Sequence, residues 1–257
     1  DFNTLNFGGR REDGTTPYRL GDQDLSLFFG QSSFSQYVVT RASNAVVVDP
    51  DVDLTLLGPL GCGIQTGSGT VLNRLKPVVG ESLVVFGCGA VGLSAIMAAK
   101  LTGCSQIIAV DIHASRLALA GELGATHQIN GKEQDAVAVI KQITGKGAHY
   151  AVETTGVSAI VLQAVHAVKP LGTVAIVGFT GDITLNVQND LMAEGKSLVG
   201  VIEGDAVPAL FIPLLVQLYK QGKFPIDKLI ARYPLADINQ AFADSASGKV
   251  IKPVVVM

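Results

Sequence analysis

This sequence predicts an α/β fold built on a doubly wound parallel sheet of six strands, and three observations carry that expectation. Apolar residues make up 48% of the 257 and charged residues 16%, enough for strands buried on both faces. From Ser82 onward, short apolar runs alternate with stretches of helical character. Between the first run and the first helix stands a glycine-rich turn, Gly87-Cys88-Gly89-Ala90-Val91-Gly92.

In chain order, residues 2–30 are rich in Gly, Asp, Arg and Thr, lack periodicity and read as irregular loop. Val, Tyr and Phe at 34–40 and the Val run at 45–48 favour short strands. A brief apolar stretch occupies 54–60. The six strands of the sheet are expected at 83–86, 106–110, 127–129, 150–153, 173–177 and 197–201. Helices are expected between them at 91–101, 115–123, 135–143 and 159–168. Ser115 stands where an N-cap belongs, and Gly124 where a helix C-terminal glycine does. Lys169-Pro170-Leu171-Gly172 should turn the chain from a helix into the next strand. Pro208 opens a further helix reaching Gly222, and the tail from 224 ends in a strand-like run at 250–256.

Composition excludes several classes of partner. The formal charge is −3, with no Lys/Arg block to track a phosphate backbone, so nucleic acid is not expected. Cys62, Cys88 and Cys104 lie far apart without a C-x-x-C pair, which suits a reducing cytoplasm rather than a disulfide framework. Residues 82–99 carry no charge and are long enough to suggest a membrane span. Gly87, Gly89 and Gly92 divide them instead into a buried strand and a helix, so no membrane is expected. The chain opens at Asp1 on loop-like sequence and reads as the middle of a longer protein.

The glycine turn matches G-x-G-x-x-G directly after a strand and directly before a helix. Its glycines serve a tight turn, close approach of backbone to a pyrophosphate, and close packing of helix on strand. The helix N-terminus at Ala90 and Val91 would present free N–H groups to the phosphates. Asp111 follows about 20 residues beyond the last glycine, at the end of the second strand. A carboxylate there accepts from the ribose hydroxyls and repels a 2′-phosphate, so the Rossmann site should take NAD in preference to NADP. Two other readings stand beside this one: Asp111 as a cap for the next helix, and an S-adenosylmethionine site. The second is opposed by the absence of an acidic residue at the end of the first strand. Arg116 could reach the ribose, or be a solvated helix residue.

Upstream, Leu57-Gly58-Pro59-Leu60-Gly61-Cys62-Gly63-Ile64-Gln65-Thr66-Gly67 resembles the zinc-dependent medium-chain alcohol dehydrogenases, whose G-C-G-x-x-T-G run supplies a zinc ligand before the Rossmann domain. Phe34-Ser35-Gln36-Tyr37-Val38 and Ala109-Val110-Asp111-Ile112 fit the same family. The likeness is strongest to its aryl-alcohol (benzyl-alcohol) branch, through 58–67, 200–204 and 211–224. The resemblance implies that Cys62 is a thiolate ligand of catalytic zinc and that Thr66 lies beside the nicotinamide. It also implies that Val91 and Val177 pack at the nicotinamide-ribose end, Arg116 contacts the adenosine ribose, and Lys252 stands near the pyrophosphate. Without it, a lone Cys62 would read as a small core hydrophobe. Cys88 and Cys104 have no ligand counterpart and read as structural.

The resemblance divides the chain into part of a β-rich GroES-like catalytic domain (1–63), a Rossmann NAD-binding domain (64–204) and a return segment (205–257). It implies NAD and zinc as cofactors, oxidation of a primary, aromatic alcohol to an aldehyde, and a homo-oligomer, dimer or tetramer, joined through edge strands near 184–189 and 200–204. His113, His127, His149 and His166 are not at ligand spacing, and a catalytic zinc takes three protein ligands. The others are expected to precede Asp1, so the 257 residues alone should bind NAD(H) without oxidising alcohol. Three rivals remain: an NADP(H) quinone reductase, which would lack Cys62 and Asp111; a polyol or other secondary-alcohol dehydrogenase; and a non-catalytic nucleotide-binding module.

Overall fold

The computed structural model describes residues 7–11 and 13–257. Positions 2–6 and 12 of the expected opening loop lie outside the described residues. The rest of that loop contains a small antiparallel ribbon, β1 (Arg19–Leu20) with β2 (Gln23–Asp24).

The main sheet is parallel and six-stranded, from β3 (Ser82–Phe86), β4 (Gln106–Asp111), β5 (His127–Asn130), β6 (Ala148–Glu153), β7 (Val168–Ile176) and β8 (Ser197–Gly200). Their order is β5-β4-β3-β6-β7-β8, doubly wound outward from the β3/β6 pair. Alternation within each strand assigns its two faces. Leu83, Val85, Ile107 and Ala109 pack into one core with α2 (Ala90–Thr102) and α6 (Pro208–Lys220). Val84, Phe86, Ile108 and Val110 pack into the other with α4 (Ala136–Thr144) and α5 (Ser158–Ala167). Each fully buried Val, Leu, Ile or Phe of these strands stabilises the fold by about 1.5–3 kcal/mol. The remaining helices are α1 (Gly63–Gly69), α3 (Ala114–Leu123) and α7 (Ile238–Ala246). The tail adds a parallel pair, β9 (Ile230–Pro234) with β10 (Lys252–Val256).

Four local expectations are corrected. Residues 34–40 and 45–48 form no strand: a strand needs a hydrogen-bonded neighbour, and none is supplied among the described residues, leaving Val47 90% exposed. Ser115 does not cap α3; the helix already runs from Ala114, with His113 at the cap position. The turn expected at 169–172 is a bulge inside β7, where Leu171 takes a left-handed φ of 64° and pairing jumps from Val168 to Thr173. The loop expected across 2–30 holds the β1/β2 ribbon. Gly124 does end α3, as expected.

At the amino end of the sheet, His149 Nδ1 receives Ser82 N–H (3.1 Å), which requires an unprotonated nitrogen. Burial first, then Lys169, hold the His149 pKa below its ordinary value. Protonation therefore favours the unfolded chain: the stabilisation is complete above about pH 6.5, the unfolded value, and is lost as pH falls through the lower folded value. A His149→Gln variant is expected to flatten the fall in denaturation midpoint on acidification from pH 7, measured by urea titration at several pH values. An unchanged slope would remove His149 from that role.

Candidate active site

The glycine turn leaves β3 with Gly87 at φ 90°, where a Cβ would stand 2.6 Å from Thr154 Oγ1. A Cβ on Gly92 would stand 1.8 Å from the Gly87 carbonyl oxygen, so this glycine is what lets α2 start directly against the turn. At Gly89 a Cβ would meet nothing within 4 Å. That side of the turn is open to an approaching group. The first intrahelical bond of α2 runs from Leu93 N–H to the Gly89 carbonyl, which leaves the N–H groups of Ala90, Val91 and Gly92 to serve an anion. No side chain caps this end.

Asp111 ends β4, 8% exposed. Its Oδ2 accepts from Cys88 N–H in the glycine turn (2.6 Å), and its Oδ1 from the N–H groups of Ile112 (2.7 Å) and His113 (2.9 Å). The carboxylate thus ties the turn to the end of the second strand and makes no cap bond inside α3. Cys88, buried between them, has its thiol pushed far up, by burial first and then by the Asp111 charge. It is an inert core cysteine, as expected.

Cys62 stands immediately before α1. Thr66 Oγ1 donates back to the Cys62 carbonyl (2.9 Å). Helix α1 crosses α2 so closely that a Cβ on Gly67 would fall 1.9 Å from the Val91 carbonyl oxygen. Cys62 and Thr66 are thereby held beside the glycine turn. The Cys62 residue is exposed overall, but its sulfur lies 3.8 Å from Glu203 Oε1. Burial, then Glu203, raise the thiol pKa, and Lys252 partly offsets them.

Val177 follows β7, its N–H donating to the Glu153 carbonyl (2.9 Å), and packs on the same core as α2. Arg116 lines a cleft with Ser115, Lys228 and Gly248; its Nε is buried without a partner among the described residues. Lys252, the first residue of β10, lies near enough to Cys62 for its charge to act there. Two acidic residues at this end escaped the sequence reading. Glu153, fully buried at the end of β6, accepts from the N–H groups of Thr155 (2.6 Å) and Gly156 (3.2 Å) and from the Thr155 hydroxyl. Glu203, past β8, reaches Gln65 and Thr66 as well as Cys62. Neither carries a sequence signal, since only the crossing connections bring them there.

The open turn, free helix N–H groups and strand-end carboxylate fit a dinucleotide. Zinc is different: among the described residues no cluster of three or more His, Cys, Asp or Glu could hold a metal. Cys62 with Glu203 falls short of three ligands, so no reaction step is assigned to zinc on these residues.

Residues 90–220 match the family described as zinc-binding dehydrogenase. The chain is 44% identical over 260 residues to a geraniol dehydrogenase of Castellaniella defragrans, covering 98% of this chain and 69% of that protein. Among solved structures it superposes with a TM-score of 0.95 on an alcohol dehydrogenase zinc-binding domain protein from Burkholderia ambifaria, at 50% identity, covering 100% of this chain and 70% of the other. Benzyl alcohol dehydrogenase from Acinetobacter calcoaceticus follows at 0.92 and 48%, covering 99% and 70%. NAD and zinc are the cofactors typical of such enzymes. A family match over half the chain, joined to a relative aligned along nearly all of it, shows that this chain belongs to the zinc-dependent alcohol dehydrogenases of the medium-chain family.

Proposed function

We propose that the protein is an NAD-dependent alcohol dehydrogenase that oxidises a primary, aromatic alcohol to its aldehyde. The observation that carries this reading is the Asp111 carboxylate locked onto the glycine turn at the carboxyl edge of the sheet, with Cys62 and Thr66 held at the same edge. The names of the geraniol and benzyl alcohol dehydrogenases support an unsaturated or aromatic primary alcohol as substrate.

In this reading Asp111 binds the adenosine ribose hydroxyls with help from Arg116, and Gly87, Gly89, Ala90, Val91 and Gly92 form the pyrophosphate cradle. Lys252 adds a positive charge, as an ammonium without the two-pronged geometry of arginine. Val91, Val177 and Thr66 would hold the nicotinamide end beside the substrate. Bound there, the nicotinamide would supply the hydride acceptor for alcohol oxidation, with the hydroxyl proton released to solvent. Cys62 would be one ligand of a zinc completed by residues outside this set, and such a zinc would lower the alcohol pKa. Residues 1–63 belong to a catalytic domain to which 205–257 returns, 64–204 bind the nucleotide, and the 257 residues alone bind NAD(H) without turnover. The outer strand β8 leaves an edge free for pairing in a homo-oligomer.

Calorimetric titration tests the cofactor assignment. NAD should bind more tightly than NADP, and Asp111→Ala should weaken NAD about tenfold, roughly 1.4 kcal/mol, while narrowing the preference. Equal or tighter NADP binding by the unaltered chain would sink it.

A further inference from the structure

Glu203, Gly204 and Asp205 follow β8 with φ of 50°, 67° and 48°, three consecutive left-handed residues of which only one is glycine. Such a run persists only where its surroundings hold it. Here Asn73 Nδ2 donates to the Gly204 carbonyl (3.0 Å), and Arg74 pairs with Asp205 (3.1 Å). Gly204 lies so close to α1 that a Cβ would stand 2.4 Å from the Gln65 carbonyl oxygen.

The result is a carboxylate presented toward α1. Glu203 Oε2 accepts from Gln65 Nε2 (3.1 Å) and lies 3.3 Å from Thr66 Oγ1, whose proton goes to the Cys62 carbonyl, and Oε1 lies 3.8 Å from Cys62 Sγ. The Gln65 amide is a neutral donor, and no Lys or Arg pairs directly with Glu203 among the described residues, although the charge of Lys252 reaches Cys62 beside it. The charge is set in place without a direct ion pair among the described residues.

Its place in the sheet indicates what answers it. Were one ribose at Asp111 beyond β4 and the pyrophosphate at the turn after β3, the strand order would put the second base of a dinucleotide toward the ends of β6, β7 and β8. Glu203 stands at the end of that half. The nicotinamide ring is a cation in NAD⁺ and neutral in NADH. We propose that Glu203 is a specificity-determining residue that favours the oxidised cofactor by placing a negative charge beside the nicotinamide. The inference rests on the NAD reading above and adds a residue to it.

The test is titration of the chain with NAD⁺ and with NADH, for the unaltered protein, Glu203→Gln and Glu203→Gly. The glutamine keeps the shape and loses the charge; the glycine loses the charge and suits the left-handed backbone. Both should raise the Kd for NAD⁺ about tenfold, well below the unscreened Coulomb value, with NADH changed less than about twofold. That ratio raises the potential of the bound couple by about 30 mV. Glu203→Asp should restore most of the preference. Equal weakening of both cofactors would show a merely structural role and overturn the proposal, as would an unmoved ratio, including one accompanied by loss of metal. An unaltered chain that bound neither cofactor would instead overturn the NAD reading, and this inference with it.

Discussion

Replacing Cys62 by serine in an enzyme carrying the complete zinc site is expected to lower zinc affinity and turnover by about 100-fold or more while NADH affinity stays within about twofold. Sulfur is the softer and more strongly bound ligand, and a hydroxyl at that position does not ionise to replace it. The sparing of NADH follows from the architecture. The proposed adenosine and pyrophosphate contacts are those of Asp111 and the turn after β3, none of which Cys62 touches. Metal analysis, steady-state kinetics and NADH fluorescence titration read the three quantities separately. Wild-type zinc content with wild-type turnover would return Cys62 to the status of an ordinary small hydrophobe. A full zinc equivalent bound by the 257 residues alone would show that the metal is held by ligands other than those proposed.

A Gly92→Ala enzyme is expected to lose about 3 kcal/mol of stability or more, and NADH affinity by at least about tenfold. The methyl would have to occupy a point 1.8 Å from the Gly87 carbonyl oxygen, with Val85 Cγ1 3.1 Å away. Neither neighbour can yield cheaply, because the obstacle is backbone and Val85 is fully buried. The helix must therefore move off the turn, carrying with it the N–H groups that would face the pyrophosphate. Gly89→Ala is the contrasting case: its Cβ has open space, so folding should be spared and only phosphate approach impaired. Thermal denaturation of both variants, paired with NADH titration, checks the contrast. Equal Tm values for the two would show that the close approach at Gly92 relaxes more easily than its geometry implies.

Much of the nucleotide half was legible in the sequence because its signals are local. Strands such as 83–86 are continuous apolar runs, which a sheet covered on both faces requires, and the glycine turn is one contiguous motif between a strand and a helix. Asp111 was legible for the same reason, since one strand and one helix fix its distance from the turn. What misled was propensity without a partner. Residues 34–40 and 45–48 have strand-forming side chains but no neighbour among the described residues to pair with. Lys169-Pro170-Leu171-Gly172 has turn chemistry, yet β6 and β8 draw both flanks into one bulged strand.

By itself, then, the sequence determined the order of strands and helices along the chain, the place of the glycine turn and the carboxylate that ends the second strand. Only the tertiary structure decided that Cys62, Thr66, Asp111 and Glu203 share one edge of the molecule. For Asp111 and Glu203 the physical reason lies in the crossover connections, since parallel strands send every β–α turn to the same side of the sheet, and for Cys62 and Thr66 it lies in the close packing of α1 on α2. Residues more than a hundred positions apart meet there, and no local pattern records the meeting. Glu203 shows this most sharply. Its chain neighbours mark it as a loop residue, while its carboxylate is aimed by Asn73, Arg74 and the bare backbone of Gly69, which the fold, and not the loop, brings against it.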